Sequence, residues 1–322
     1  MTLSWTLRLL CILTIVFGLV LASSQIALAL AHRWILRHLD NATARSRERL
    51  LYLLQIGPAL FAAFVAGAVC LPAYVHGETN LESENVSRLC LLVAGLVALW
   101  FLFGLLRGLR ITLRTLRFVH ACRRSGPIVP NGYNIPVLTL PDPAPPVRLI
   151  GFFRPLIVVS SSFKTVKRGA FDLALAHERS HATHFDNWKL LTLSYLPRLD
   201  RMLPGGDPWS QPWQQAADWA ADDDAVQGDA ARSLLLAEAL VTAARAAAHT
   251  VSASHTCLCT ALTAADTGLA IRIDRLIRLR PNARPSGSFP LIALAALALL
   301  GAAAAFTLFP WIYALSERLL HL

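Results

Sequence analysis

The sequence predicts a mostly α-helical membrane protein, with four membrane-spanning helices and an α+β domain inserted between the third and the fourth. Three observations predict it. Four long apolar runs, at about residues 9–31, 50–75, 89–106 and 289–315, contain no Lys, Arg, Asp or Glu. Each is close to the roughly 20 helical residues that cross a hydrocarbon core. Basic residues concentrate in alternate connections between the runs, and one polar stretch, about 107–285, has the size of a single compact domain.

Composition sets the class. Of 322 residues, 55% are hydrophobic and only 16% charged, which excludes an ordinary pair of water-soluble domains. Gln25, Gln55 and Tyr74 are the main polar interruptions of the runs. Without charges inside the spans, an ion or proton pathway is not expected, and the helices read as anchors or a sensing bundle. The first run is longer than a signal-peptide core and only Arg8 precedes it, so it reads as a retained helix. The chain divides into a membrane domain (1–106), a domain at 107–285, and a fourth helix with a short tail (286–322).

Charge gives orientation. The first connection carries Arg33, Arg37, Arg45, Arg47 and Arg49; the second carries Glu78, Glu82 and Glu84 with only Arg88. After the third run come Arg107, Arg110, Arg114, Arg117, Arg123 and Arg124. The positive-inside rule therefore puts the first connection and the 107–285 domain in the cytoplasm of a bacterial-type inner membrane, with the N-terminus outside. The net charge of +10 is a topology signal from arginines that flank a lipid bilayer. No direct nucleic-acid partner is expected from it. Cys11, Cys70 and Cys90 fall in or at apolar runs and Cys122 stands alone. Cys257 and Cys259, with His249 and His255 upstream, match no familiar zinc spacing and read as free thiols.

The polar domain opens with an Arg-studded helix continuing out of the membrane, then a Pro- and Gly-rich loop at 125–146. Residues 147–160 are rich in β-branched and aromatic side chains and predict two short strands, with Pro155 marking an edge. Such an edge can pair with an extended peptide or form a plain hairpin. Gly151, Phe152 and Arg154, at the join, are the candidates for binding substrate. Ser160, Ser161 and Ser162 offer caps for the helix that follows.

That helix, expected from near Ala170 to about Leu193, carries the chemistry. His177, Glu178 and His181 form H-E-x-x-H, and residues four apart share one helix face, so both imidazoles can reach one metal ion. Two imidazoles and a carboxylate suit Zn2+ with one position open, and Glu178 stands where a carboxylate can take a proton from the attacking water. His184 lies on the same face, but about 10 Å from His177 along the axis, so it reads as a supporting or surface residue, with ligation the lesser alternative. Asp186 can accept a hydrogen bond from a ring N–H or fix the helix end. Arg154 and His184 are the candidates for stabilising an oxyanion.

A third ligand has to come from elsewhere. Asp218 and Asp222, four apart on a helix beginning near Gln214, are surrounded by Ala and Trp instead of basic partners. One of them can bind the ion while the other orients an imidazole. A further Ala- and Leu-rich helix spans 232–249. The basic amphipathic segment 269–278 is expected to lie on the inner membrane face.

These residues together resemble the BlaR/MecR-type membrane metallopeptidases, the antirepressor family of gluzincin-like zinc proteases. G-F-F-R-P-L-I-V-V resembles that family's G-x-x-R-P-x-I segment, and H-E-R-S-H followed by F-D-N-W resembles its H-E-x-x-H segment. D-W-A-A-D-D-D-A-V resembles its E-x-x-x-D segment, and L-A-I-R-I-D-R-L-I resembles its R-I-x-x-L close. The resemblance implies a zincin-like metalloprotease domain, His177 and His181 as ligands, Glu178 as catalytic base, and a protein substrate such as a transcriptional repressor. It aligns Asp218 with the family's third ligand, a Glu, and Asp222 with an acid that supports the site. With one methylene fewer at Asp218, either the helix sits closer, or Asp222 binds instead, or the site is degenerate. The best-known members carry a penicillin-binding sensor domain after the fourth helix; only about 316–322 follows here, so β-lactam sensing in that manner is not expected.

The expected function is an integral-membrane zinc endopeptidase in a signalling pathway. Two alternatives stand beside it: a non-catalytic membrane transducer with a degenerate protease-like domain, and an HtpX-like quality-control protease.

Overall fold

The computed structural model describes residues 2–3, 5–77, 84–125, 128–129, 135–142, 144, 146–199, 207–248, 259–261 and 266–278. The described residues are mostly helical, and among them are three helices long and apolar enough to cross a membrane and a small mixed sheet. The fourth expected span, at 289–315, lies outside the described residues, as do His249, His255 and Cys257.

A short strand β1 (Thr2–Leu3) leads into α1 (Trp5–Leu39). After a tight connection, the Thr43 hydroxyl accepts the Ser46 N–H and starts α2 (Ala44–Phe64). A π-helical turn, Val65–Cys70, carries α2 into α3 (Leu71–Gly77), and β2 (Glu84–Asn85) pairs antiparallel with β1. The third span is the first half of α4 (Arg88–Ser125), which continues outward as the arginine-rich spacing predicts. At the end of the bundle beside β1 and β2, Ile12, Ile15 and Val16 of α1 pack with Val65, Cys70 and Tyr74 and with Cys90 and Ala94 of α4.

The opposite end of the bundle is polar and is entered by another part of the chain. Gln25 donates to the Pro197 carbonyl at 2.9 Å and accepts from the Leu199 N–H at 2.8 Å. Arg198 donates to Gln55 at 2.6 Å. The two glutamines that interrupt the apolar runs thus satisfy the 197–199 segment, as an apolar surrounding requires of buried polar groups. Arg107 closes the same junction by donating to the carbonyls of Ser194 and Leu196 at 2.7 and 3.1 Å. A Cβ at Gly104 would lie 2.9 Å from the Tyr195 carbonyl, and one at Gly108 would lie 2.5 Å from the Tyr195 ring, so only glycine fits there.

The sheet runs β3 (Ile128–Val129), β4 (Val137–Leu140), β6 (Leu156–Ser160), β5 (Val147–Ile150), β7 (Cys259–Ala261) in spatial order. β4 and β6 are parallel, and β5 is antiparallel to both β6 and β7. Alternation along the strands serves two layers. Val147, Leu149, Ile157 and Val159 face α5 (Arg168–Thr183), α8 (Ala230–Ala248) and α9 (Asp266–Ile277), while Ile150, Leu156 and Val158 face Val119 and Cys122 of α4. Between α5 and α8 come α6 (Asp186–Tyr195) and α7 (Ser210–Val226). Trp209, Trp213 and Ala216 at the start of α7 pack on Leu50 and Leu51 of α2, tying the domain to the bundle.

Three sequence expectations are corrected. The strand at 147–150 is not an edge, because β7 covers its outer side. The single helix from Ala170 to Leu193 is two: Phe185 takes a left-handed conformation (φ 59°, ψ 35°), ends α5 and starts α6 in a new direction. A non-glycine residue there costs roughly 1–2 kcal/mol, which the contacts it enables must offset. The basic segment 269–278 does not simply lie on a surface, since α9 buries Arg272 and Leu276 in the domain.

Candidate metal centre

One face of α5 presents both imidazoles inward because Leu173 and Ala174 bury the same side of the helix in the core. His177, Glu178 and His181 are all buried to 1% exposure or less. The Nε2 atoms of His177 and His181 face each other at 3.2 Å. Asp218, from α7, places Oδ1 3.5 Å from the His181 Nε2, and the three candidate ligand atoms lie within 4.8 Å of one another. Asp218 keeps 15% of its side chain exposed and so marks the open side of the centre.

Each imidazole is oriented by its own acid. His181 Nδ1 donates to Asp186 Oδ2 at 2.7 Å, which leaves the Nε2 lone pair pointing at the cluster. His177 Nδ1 lies 2.9 Å from Asp222 Oδ1. Asp222 is fully buried and held by Arg272, which donates from Nε and Nη2 at 3.0 and 2.7 Å, while its Nη1 lies 3.4 Å from Asp218. Asp222 therefore orients His177, and Asp218 is the carboxylate in ligand position. The α9 arginine was missed as a site residue; its place on the apolar face of an amphipathic segment was the available signal.

Electrostatics follow from burial and these pairs. Burial opposes charge on His181, but its bonds to Asp186 and Asp218 and the Glu178 charge outweigh this and push it up to about 10. Burial lowers His177 despite Asp222. For Asp222, burial is outweighed by the Arg272 charge and by His177, which hold it well below the usual carboxylate range. Burial pushes Glu178 up to about 7, with His181 and the Leu149 N–H pulling the other way. That N–H, on β5, donates to Glu178 Oε2 at 2.8 Å and fixes the carboxylate against the sheet.

The donor set fits a divalent ion. Two imidazole lone pairs facing each other at 3.2 Å repel unless a cation or a proton lies between them. Ligands about 2.1 Å from a tetrahedral zinc stand about 3.4 Å apart, close to the separations around His181. No known family profile matches the chain, and no curated protein matches it.

The remaining sequence candidates have partners of their own. His184 ends α5, partly exposed, 3.2 Å from Asp224 Oδ2. The Gly151 carbonyl accepts from Asn187 Nδ2 at 2.7 Å, and Gly151 itself has φ 82° in the β5–β6 turn. Phe152 is buried against Trp188 and Leu191. Arg154 is exposed in the same turn, its carbonyl accepting from Arg123. Gly151 and Phe152 thus join the hairpin to α6.

Proposed function

We propose that this chain is an integral-membrane metalloendopeptidase whose ion is held by His177, His181 and Asp218. Zinc is the ion that the donor set favours. The observation that carries the reading is the convergence of two ring nitrogens and one carboxylate oxygen beside the buried Glu178. A divalent ion held there would polarise a carbonyl and acidify water. Glu178, with a carboxyl near neutrality, is poised to accept a proton and return it to a leaving amine. Asp222 and Asp186 hold the imidazoles in the tautomer that leaves Nε2 free. The arginine-rich connections support a cytoplasmic site, and the substrate class is a cytoplasmic or membrane-associated protein such as a transcriptional repressor.

Purified full-length chain should contain stoichiometric zinc, lost in His177→Ala, and should cleave an unfolded polypeptide. Glu178→Gln should slow cleavage by about 10²–10⁴-fold with zinc retained; cleavage as fast as the parent would overturn the mechanism.

One observation favours a second reading, a metal-binding transducer that does not cut. β7 lies along β5, where an extended peptide would pair, and the imidazoles are closed from solvent. Full zinc occupancy with no cleavage of any unfolded polypeptide would select it.

A further inference from the structure

Resting on the metal-centre reading, we propose that Glu48, at the start of the second candidate span, is a positioning residue for His181. The strength with which the centre grips its ion then depends on where the bundle places α2.

Glu48 has no solvent exposure and sits in the second turn of α2. A buried carboxylate there is costly unless it is paired. Its hydrogen-bond donors come from the domain: Lys189 Nζ donates to Oε1 at 2.7 Å, and the Trp213 indole N–H donates to the same oxygen at 3.3 Å, while Arg45 of α2 itself lies 3.6 Å from Oε2. Lys189 also donates to Asp186 Oδ1 at 2.8 Å, while the other oxygen of Asp186 takes the His181 Nδ1–H at 2.7 Å. An unbroken line of charged hydrogen bonds therefore runs Glu48, Lys189, Asp186, His181. Only Lys189 in it is exposed at all appreciably, at 17%.

The geometry of this line makes it transmit position. Asp186 is clamped by a cation at one oxygen and a ring N–H at the other, so its plane sets the direction of the imidazole lone pair. Lys189 is shared between two carboxylates. If α2 moves, the ammonium either follows Glu48 and leaves Asp186, or stays and leaves Glu48 with only its longer contact to Arg45.

A second contact beside it works in the same sense. Arg45, three residues before Glu48, donates to Asp224 at 2.7 Å and to the Ser180 hydroxyl at 3.1 Å. Ser180 adjoins His181. At its far end, α6 is anchored in the bundle by Arg107, Gly104 and Gly108. The helix that carries Asp186 and Lys189 is therefore attached to both α2 and α4.

The test uses the full chain in detergent micelles, stripped of metal and titrated with cobalt(II) ions alone, read by d–d absorption and by competition with a chromogenic chelator. Glu48→Gln and Lys189→Met should each weaken cobalt binding about 10-fold, within the 10–100-fold range of supporting partners, and shift the d–d bands. Lys189→Arg should restore both. The double variant should bind no more weakly than the worse single one, since both act through one line. Glu238→Gln, which removes an exposed partner of Lys167, should leave binding unchanged. If Glu48→Gln does not fold, Lys189→Met, at a partly exposed site, carries the test. Parent-like cobalt affinity and spectra in the folded variants, whatever their metal-free melting temperatures, overturn the proposal alone. Absence of cobalt binding by the parent overturns the metal centre, and the proposal with it.

Discussion

The two imidazoles of the centre are chemically alike but are held from opposite directions. His177 is fixed inside the domain: Asp222 from α7 and Arg272 from α9 form a closed, fully buried ion pair behind it. His181 is fixed by a line that leaves the domain through α6 and ends on α2. The first half behaves as part of the core, so disturbing it should cost folding as well as metal. The second half is built at a junction between two bodies of the fold, so disturbing it should cost metal first.

The largest effect should come from the core side. Arg272→Met leaves Asp222 charged and buried without its guanidinium, and should destabilise the metal-free chain by about 3–5 kcal/mol, read as a fall in melting temperature. Lys189→Met, at a site that water reaches, should lower that temperature less, because Asp186 keeps His181 and Glu48 keeps Arg45. Equal losses would erase the distinction between the halves.

Next in size are the supporting acids. Asp222→Asn and Asp186→Asn should each weaken zinc binding by about 10–100-fold, measured by chelator competition. Asp222→Asn should also lower the melting temperature of the metal-free chain across the pH range, whereas the loss in Asp186→Asn should fade as pH rises towards about 10, where His181 gives up its proton.

A pH series sharpens the His181 side. In the metal-free chain its folded pKa, about 10, lies above the ordinary histidine value of 6.5. The folded form therefore holds more protons than the unfolded one between those limits. Its contribution to stability is complete below about pH 6.5 and is lost as pH rises towards about 10. Melting temperature should fall across that window, and the slope should flatten in His181→Ala. Glu178, raised from 4.5 to about 7, adds a loss of stability with rising pH in its own, lower window.

The smallest effect is expected at the break before Asp186. Phe185→Gly removes the left-handed penalty at an exposed side chain and should change stability by under about 1 kcal/mol, measured by denaturant titration.

Much of this was legible in the sequence, for identifiable reasons. Three spans follow from apolar length, and the ligand face follows from the spacing of His177 and His181. Asp218 and Asp222 stood out because no basic neighbour on their helix explained them. Their actual partner, Arg272, lies some fifty residues away, a distance at which local patterning carries no signal. Glu48 was hidden differently. It sits among Arg45, Arg47 and Arg49, where charge reads as topology, and only burial reveals that it faces inward. The break at Phe185 has no glycine or proline to mark it, because a tertiary contact, Asp186 on His181, sets the turn. The cover that β7 gives β5 was equally unreadable, since Cys259–Ala261 is too short for a periodic pattern.

Gly104 and Gly108 on α4 have a consequence beyond the junction they form. Two small residues four apart on a membrane helix commonly admit a neighbouring helix at close range. In this protein the notch is filled from within by an aromatic ring, so it offers no seat to a second copy of the chain. Any oligomer has to be built on another flank, and enlarging either glycine should disturb the reach of α6 towards the metal instead of subunit stoichiometry.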